Sequence, residues 1–292
     1  MKKWMKTAAA ALTVAGVLSV GSAAMAASAP QSVKMFINGV YQQDVLNVNG
    51  RTMVQLRAFN DPAKISYTYE SATKTIIINN TAQKKTIRLK DGLKTADVNG
   101  KSIALDAPVT VQKGRTYVPA RFVTETLGGT VAYNSTTKQV IVRTPTGVEQ
   151  FETLKSGDLA KARELALNLT RLNNGIDVRP YGEGFTTVYT FPKGEALRFF
   201  WEYKGLLNYI EINVDGLAEM KWQKDTLGVN GEAGKEPMPF GESVYFSDHF
   251  MADLLSYGTI DSEGNRTEID AITGYSKGII VPIEGEVRTD TK

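Results

Sequence analysis

Six cationic side chains recur in step along the first half of this chain: Arg51, Arg57 and Lys74, and then, 64 residues later, Arg115, Arg121 and Lys138. A guanidinium presents a planar fork of N–H donors that fits a carboxylate or phosphate two bonds at a time, and a lysine adds a point charge. Matched cations on a repeated unit are therefore candidates for a face that binds anionic polymer, such as teichoic acid phosphates or peptidoglycan carboxylates. The arginines also have a structural use. An arginine just after a turn glycine, like Arg51 or Arg115, can bond strand-end carbonyls or an acidic neighbour, and the sequence leaves both uses open.

A second group with chemical potential lies beyond residue 195. Phe200, Trp201, Tyr203, Tyr209 and Trp222 crowd one stretch and are candidates for stacking on sugar rings or peptide stems, although aromatics so placed mostly serve as core. Strand alternation puts Phe199, Trp201 and Tyr203 on one face and Phe200 with Glu202 on the other. If Ile210, Ile212, Met220 and Trp222 cover the core side, an aromatic strip is left opposite. Glu195, Glu202 and Glu211 fall on neighbouring expected strands, which leaves open a carboxylate-pair hydrolase acting on wall polymer.

Other catalytic sets are missing. The chain has one histidine, His249, and no cysteine. Ser243 and Ser247 lie near His249, but no G-x-S-x-G elbow accompanies them. Asp261 to Asn265 resembles a calcium loop, yet Arg266 stands where an EF-hand needs glycine and no glutamate follows at position twelve, so a turn is expected. No metal or cofactor is expected.

The elements that position these residues come from a duplication. Gly50-Arg51-Thr52-Met53-Val54-Gln55-Leu56-Arg57 returns as Gly114-Arg115-Thr116-Tyr117-Val118-Pro119-Ala120-Arg121. The register runs on without a gap through Tyr69/Tyr133 to Ile76-Ile77-Ile78/Val140-Ile141-Val142. Upstream, Asn38-Gly39 pairs with Asn99-Gly100 at an offset of 61, so the second copy's loop is three residues longer. Asn-Gly is a hairpin signal, Pro119 suits a helix start, and Gly128 suits a helix end. Each copy is expected to run hairpin, strand, short helix, hairpin, with the first helix cut off at Asp61-Pro62.

The segment Gly114-Arg115-Thr116-Tyr117-Val118-Pro119-Ala120-Arg121-Phe122-Val123, its Leu127-Gly128-Gly129 helix end, Tyr133 and Thr137-Lys138-Gln139-Val140-Ile141-Val142 resemble the stalk domain at the N-terminus of some copper amine oxidases. The resemblance covers about 33–144 and is sharper in the second copy. It implies a small antiparallel sheet wrapped on a short helix, in a module that recurs in exported proteins of Gram-positive bacteria. It does not bring the enzyme with it. The oxidase needs three copper-binding histidines and a tyrosine-derived quinone, and this chain has one histidine.

The N-terminus carries Lys2, Lys3 and Lys6, an apolar run from Thr7 to Val20, and Ala24-Met25-Ala26, the pattern of a secretory signal cleaved after Ala26. A secreted protein, extracellular or wall-associated, is expected, with no transmembrane segment and no nucleic-acid partner. Charge is strongly segregated. Residues 27–145 hold 16 Lys+Arg against 7 Asp+Glu, and residues 146–292 hold 15 against 24. The basic half should attract polyanions and the acidic half repel them, unless the two halves dock on each other.

A second α+β domain is expected over 146–292, with an unidentified ligand or protein partner. Phe151 to Leu172 reads as an amphipathic helix. Ala196–Tyr203, Asn208–Val214 and Leu217–Gln223 read as an antiparallel meander, Asp225–Glu242 as a loop, and Ser247 as the cap of a helix carrying Phe250, Met251, Leu254 and Leu255. The whole is an α+β, non-catalytic envelope protein: a stalk module for attachment or spacing plus a binding domain.

Overall fold

The computed structural model describes residues 33–48, 50–274 and 278–291; the expected secretory leader lies outside them. Tight turns set the architecture of the first half. Asn38-Gly39, Asn99-Gly100 and Lys113-Gly114 each hold two consecutive positive φ angles, the type I′ geometry that matches the twist of a hairpin. In chain order the elements are β1 (Lys34–Ile37), β2 (Val40–Gln42), β3 (Val45–Val48), β4 (Arg51–Gln55), a 3-10 turn (Leu56–Phe59), β5 (Ile65–Glu70), β6 (Thr75–Asn80) and β7 (Lys85–Lys90). Then follow β8 (Thr95–Val98), β9 (Lys101–Ala104), β10 (Thr110–Gln112), β11 (Arg115–Pro119), α1 (Ala120–Thr126), β12 (Thr130–Asn134) and β13 (Gln139–Arg143).

These strands form three small sheets, ordered β12-β13-β1-β2, β10-β11-β4-β3 and β5-β6-β7-β8-β9. Every pair is antiparallel except β1 with β13. The central pairing joins β4 to β11 with Met53 opposite Pro119, Val54 opposite Val118 and Gln55 opposite Tyr117. Met35, Val54, Phe59, Ile78, Ile87, Leu89, Val118, Val123, Leu127 and Val142 meet in one buried core beneath these sheets. Buried Asn80 donates from Nδ2 to the Leu127 carbonyl (2.7 Å), satisfying an acceptor that the end of α1 leaves unpaired.

The second half contributes α2 (Pro145–Ser156), α3 (Leu159–Asn168), β14 (Arg171–Leu172), β15 (Thr186–Pro192), β16 (Arg198–Tyr203), β17 (Leu206–Ile212), β18 (Ala218–Asp225), β19 (Glu232–Gly234), β20 (Ser243–His249), β21 (Leu254–Ile260) and β22 (Arg266–Thr273). They form one sheet, β14-β18-β17-β16-β15-β20-β21-β22, with β19 attached to β18. Leu154 of α2 and Ala166 of α3 pack on Phe191, Phe199, Ile210 and Phe246 of its inner face. The molecule is thus mostly β with three α-helices among the described residues, and the expected meander is present as β16, β17 and β18.

Two expected helices need correction. Phe151 to Leu172 is not continuous: α2 stops at Gly157, whose ψ of −163° is extended, and the Asp158 side chain accepts from Lys161 N–H (2.9 Å) to cap α3 afresh. The helix led by Ser247 does not form. Ser247 is a mid-strand residue paired with Val188 and Ser256, and Phe250–Ala252 is a single 3-10 turn ended by Asp253 at φ 49°. His249 Nδ1 caps that turn by accepting from Ala252 N–H (3.2 Å).

Val33 to Lys292 forms one compact unit, so the basic and acidic halves are packed together. Arg143 lies with its guanidinium carbon 3.5 Å from the Phe151 ring centroid and donates to the Asp215 carbonyl (2.7 Å). Asp61 accepts from Thr146 N–H and Oγ1 (2.9 and 2.7 Å), and Asn134 donates to Asp215 (2.5 Å). Phe36, Ile141 and Leu217 make a small apolar cluster across the same joint. A Cβ on Gly147 would sit 2.0 Å from Asn38 Oδ1, so the close approach of α2 to the β1–β2 turn requires glycine there.

Candidate functional site

The pairing of β4 with β11 decides where the repeated arginines go. Strand β4 begins at Arg51, while β11 ends at Pro119 and passes directly into α1 with Arg121 as its second residue. Antiparallel pairing lays the start of one strand beside the end of the other. Arg51 and Arg121, which stand at different positions of the repeat, consequently line the same cleft of about 280 Å³. Asp106, Pro119, Tyr133 and Val140 line it too.

The cations in this cleft are differently engaged. Arg51 Nε lies 3.2 Å from Asp106 Oδ2. The Arg121 side chain is 71% exposed, and its ion pair is with Glu125 on its own helix at 3.9 Å. Tyr133, 54% exposed, presents its ring at the rim. Such surface pairs contribute little to stability, so both guanidiniums can change partners at small cost.

The other cations of the repeat do not line this cleft. Arg115 pairs with Asp44, which also accepts from Gln55 Nε2 (2.8 Å). Arg57 is exposed on the 3-10 turn. Lys74 and Lys138 occupy the left-handed position of hairpin turns at φ 55° and 56°. The six cations are therefore distributed around the module, and two of them converge. Sequence reasoning did not single out Asp106, Asp44 or Tyr133 as site residues. The two acids carry no local signal, because each pairs with the arginine of the other repeat: Asp106 with Arg51 and Asp44 with Arg115.

The stacking candidates divide between two faces of the large sheet. Trp201 and Tyr203 lie parallel, 6.4 Å apart, and Arg171 covers Trp201 at 4.1 Å. Phe200, Tyr209 and Trp222 gather on the opposite face under Phe240, whose ring is 4.5 Å from Phe200. Trp222 and Tyr209 are only 2% and 5% exposed. Trp222 does not share a face with Met220 because a bulge next to Tyr209 shifts the register: Tyr209 faces Trp222 while Ile210 faces Met220. Phe240, from the expected loop, was not among the sequence candidates.

Of the three candidate glutamates, Glu195 and Glu211 are held by neighbouring side chains. Glu195 takes two bonds from Arg198 (2.5 and 2.8 Å), and these hydrogen bonds raise the guanidinium pKa further. Glu211 accepts from Tyr209 Oη (2.7 Å). Burial, followed by the Glu211 bond and charge, pushes the Tyr209 phenol up to about 12. Glu202 lies on β16 between Val188 and Leu207. Asp261 accepts from Glu263 and Asn265 N–H (both 2.9 Å), which closes it as a turn. Among the described residues, no three His, Asp or Glu side chains are grouped to hold a metal ion.

Residues 36–142 match the family model for the copper amine oxidase N-terminal domain. Over that segment the chain is similar to this family. The match spans β1 to β13 and so contains the cleft and all six repeated cations, while the large sheet and helices α2 and α3 lie beyond it. No curated protein and no solved structure matches the chain. No helix among the described residues is long and apolar enough to cross a membrane.

Proposed function

We propose that this is a secreted, non-catalytic protein of the cell envelope, in which a copper amine oxidase N-terminal-like stalk module provides attachment or spacing and residues 146–292 bind a ligand or protein partner. The observation that carries the proposal is the family match over 36–142 on a segment rich in Lys and Arg, with an acidic second half packed behind it. Packing against the acidic half engages Lys64, paired with Glu149, and Arg143, whereas Arg51, Arg115 and Arg121 pair within the module, so the module's outer cations still attract anionic wall polymer over a Debye length of roughly 8 to 10 Å at physiological salt. The acidic half then faces away from that polymer by repulsion.

The module is also proposed to be two copies of one unit related by a local two-fold axis between Val54 and Val118. Those residues are 64 apart, the repeat offset, and they pair with each other. The crossed ion pairs, Arg51 with Asp106 and Arg115 with Asp44, fit the same symmetry.

Co-sedimentation of residues 27–292 with purified cell walls, with and without teichoic acid, tests the attachment. The expected result is binding at low salt that is largely lost at about 0.5 M, where the Debye length falls to about 4 Å. Absence of binding at low salt would rule out envelope attachment through the basic module.

A further inference from the structure

We infer that the cleft shared by Arg51, Arg121 and Tyr133 is a specific binding site for one carboxylate-bearing sugar ring of an acidic glycan; this deepens the proposed attachment and rests on it for biological context, not for its chemistry. At about 280 Å³ the cleft is near the lower end of the ~300–1,000 Å³ range of small-molecule sites, which suits one ring and not a length of polymer.

The lining then selects among ring-sized ligands. Two guanidiniums from different elements converge on the cavity, one at the start of β4 and one in the first turn of α1. A guanidinium fork matches the plane of a carboxylate, and charge-assisted pairs of this kind are roughly twice as strong as neutral hydrogen bonds. Arg51 already holds a carboxylate, that of Asp106, on the cleft wall. Asp106, on the same wall, has carboxylate lone pairs that can accept from sugar hydroxyls, which a phosphate polymer without a sugar ring does not offer in the same place. Tyr133 at the rim and Pro119 and Val140 inside supply the apolar surfaces that the C–H face of a pyranose needs.

The two-fold relation within the module provides an internal control. Arg57 and Arg115 are the repeat counterparts of Arg121 and Arg51, carry the same charge, and do not line this cleft. Binding of a galacturonate hexasaccharide to residues 27–292 is to be measured by calorimetry, with maltohexaose as the neutral comparison and poly(glycerol phosphate) as the phosphate comparison. The double variant R51Q/R121Q should weaken galacturonate binding by at least about tenfold, as expected for two lost charged hydrogen bonds. R57Q/R115Q should change it less than about threefold, since only long-range charge is lost. Y133A should weaken it without altering the salt dependence.

Equal losses in the two double variants would overturn the site and leave only diffuse electrostatic attraction. Maltohexaose binding as tightly as galacturonate would overturn the carboxylate assignment. So would phosphate polymer binding that depends on Arg51 and Arg121 to the same degree. Galacturonate binding without wall co-sedimentation would sustain the cleft and remove the envelope reading, whereas wall binding without galacturonate binding would do the reverse. Unchanged melting temperatures in all three variants guard against a folding defect.

Discussion

Asp225 organises a loop with one side chain. Its carboxylate accepts from the N–H groups of Leu227 (2.9 Å), Val229 (3.0 Å) and Asn230 (2.7 Å). Burial alone would raise its pKa, but the three backbone bonds outweigh that and hold it below the usual carboxylate value. A lowered folded-state pKa stabilises the loop at pH above the unfolded value of about 3.9, and the contribution disappears as pH falls through the folded value. Hydrogen-exchange protection of Val229 and Asn230, corrected for intrinsic rates, should therefore drop below about pH 4. In D225N the protection should be low at neutral pH and its acid dependence absent. In the sequence Asp225 is only the edge of a Gly- and Pro-rich stretch; the amides it holds lie 2, 4 and 5 residues on, a local turn whose closure depends on the backbone path and not on residue type alone.

At the scale of elements, the break between α2 and α3 shows how a local signal can hide inside a periodic one. Leu159, Ala162, Leu165, Ala166, Leu169 and Leu172 keep helical spacing, and that stripe suggested one long helix. Gly157-Asp158 carries the real boundary: an extended glycine and an N-cap whose side chain bonds Lys161 N–H. D158A should cost about 1 kcal/mol, within the range of roughly 0.5–2 for a lost N-cap, measured as a shift in the urea midpoint at unchanged m-value. The 3-10 turn at Phe250–Ala252 is the converse case. Its apolar residues looked helical, but β20 and β21 pair along seven residues on either side of it, and that ladder leaves too short a connection for a helix.

For the whole molecule, the second half is closed by its own C-terminal segment. Arg163 of α3 and Glu286, 1% and 4% exposed, form a bidentate pair (2.6 and 2.7 Å), and Arg163 also bonds the carbonyls of Glu195 and Pro192. Further on, Arg288 bonds the carbonyls of Thr153, Leu154 and Gly157 at the end of α2, and Asp290 accepts from Ala196 and Leu197 N–H. Removing one partner of a buried pair leaves an uncompensated charge, so R163M or E286L alone should cost about 3–5 kcal/mol. The double variant R163M/E286L should cost clearly less than the sum of the two. Additive losses in a double-mutant cycle by urea unfolding would show that the pair does not act as a unit.

Local chemistry determined much of this protein from the sequence alone. Asn-Gly turns, alternating Ile and Val strands, the Pro119 helix start and the meander at 196–223 each depend on a few neighbouring residues, and each is present in the fold. So is the family likeness over 36–142, because the motif that carries it is contiguous. The chemistry of the cleft was decided only in three dimensions. The sequence placed Arg51 with Arg115 as equivalents, whereas antiparallel pairing of β4 and β11 brings Arg51 to Arg121 and exchanges the acidic partners between the repeats. The face on which Trp222 lies likewise depends on one bulged residue, and there it meets Phe200, which Phe240 from a later loop covers. Periodicity reports which way a side chain leaves its own strand, but strand pairing determines what it meets.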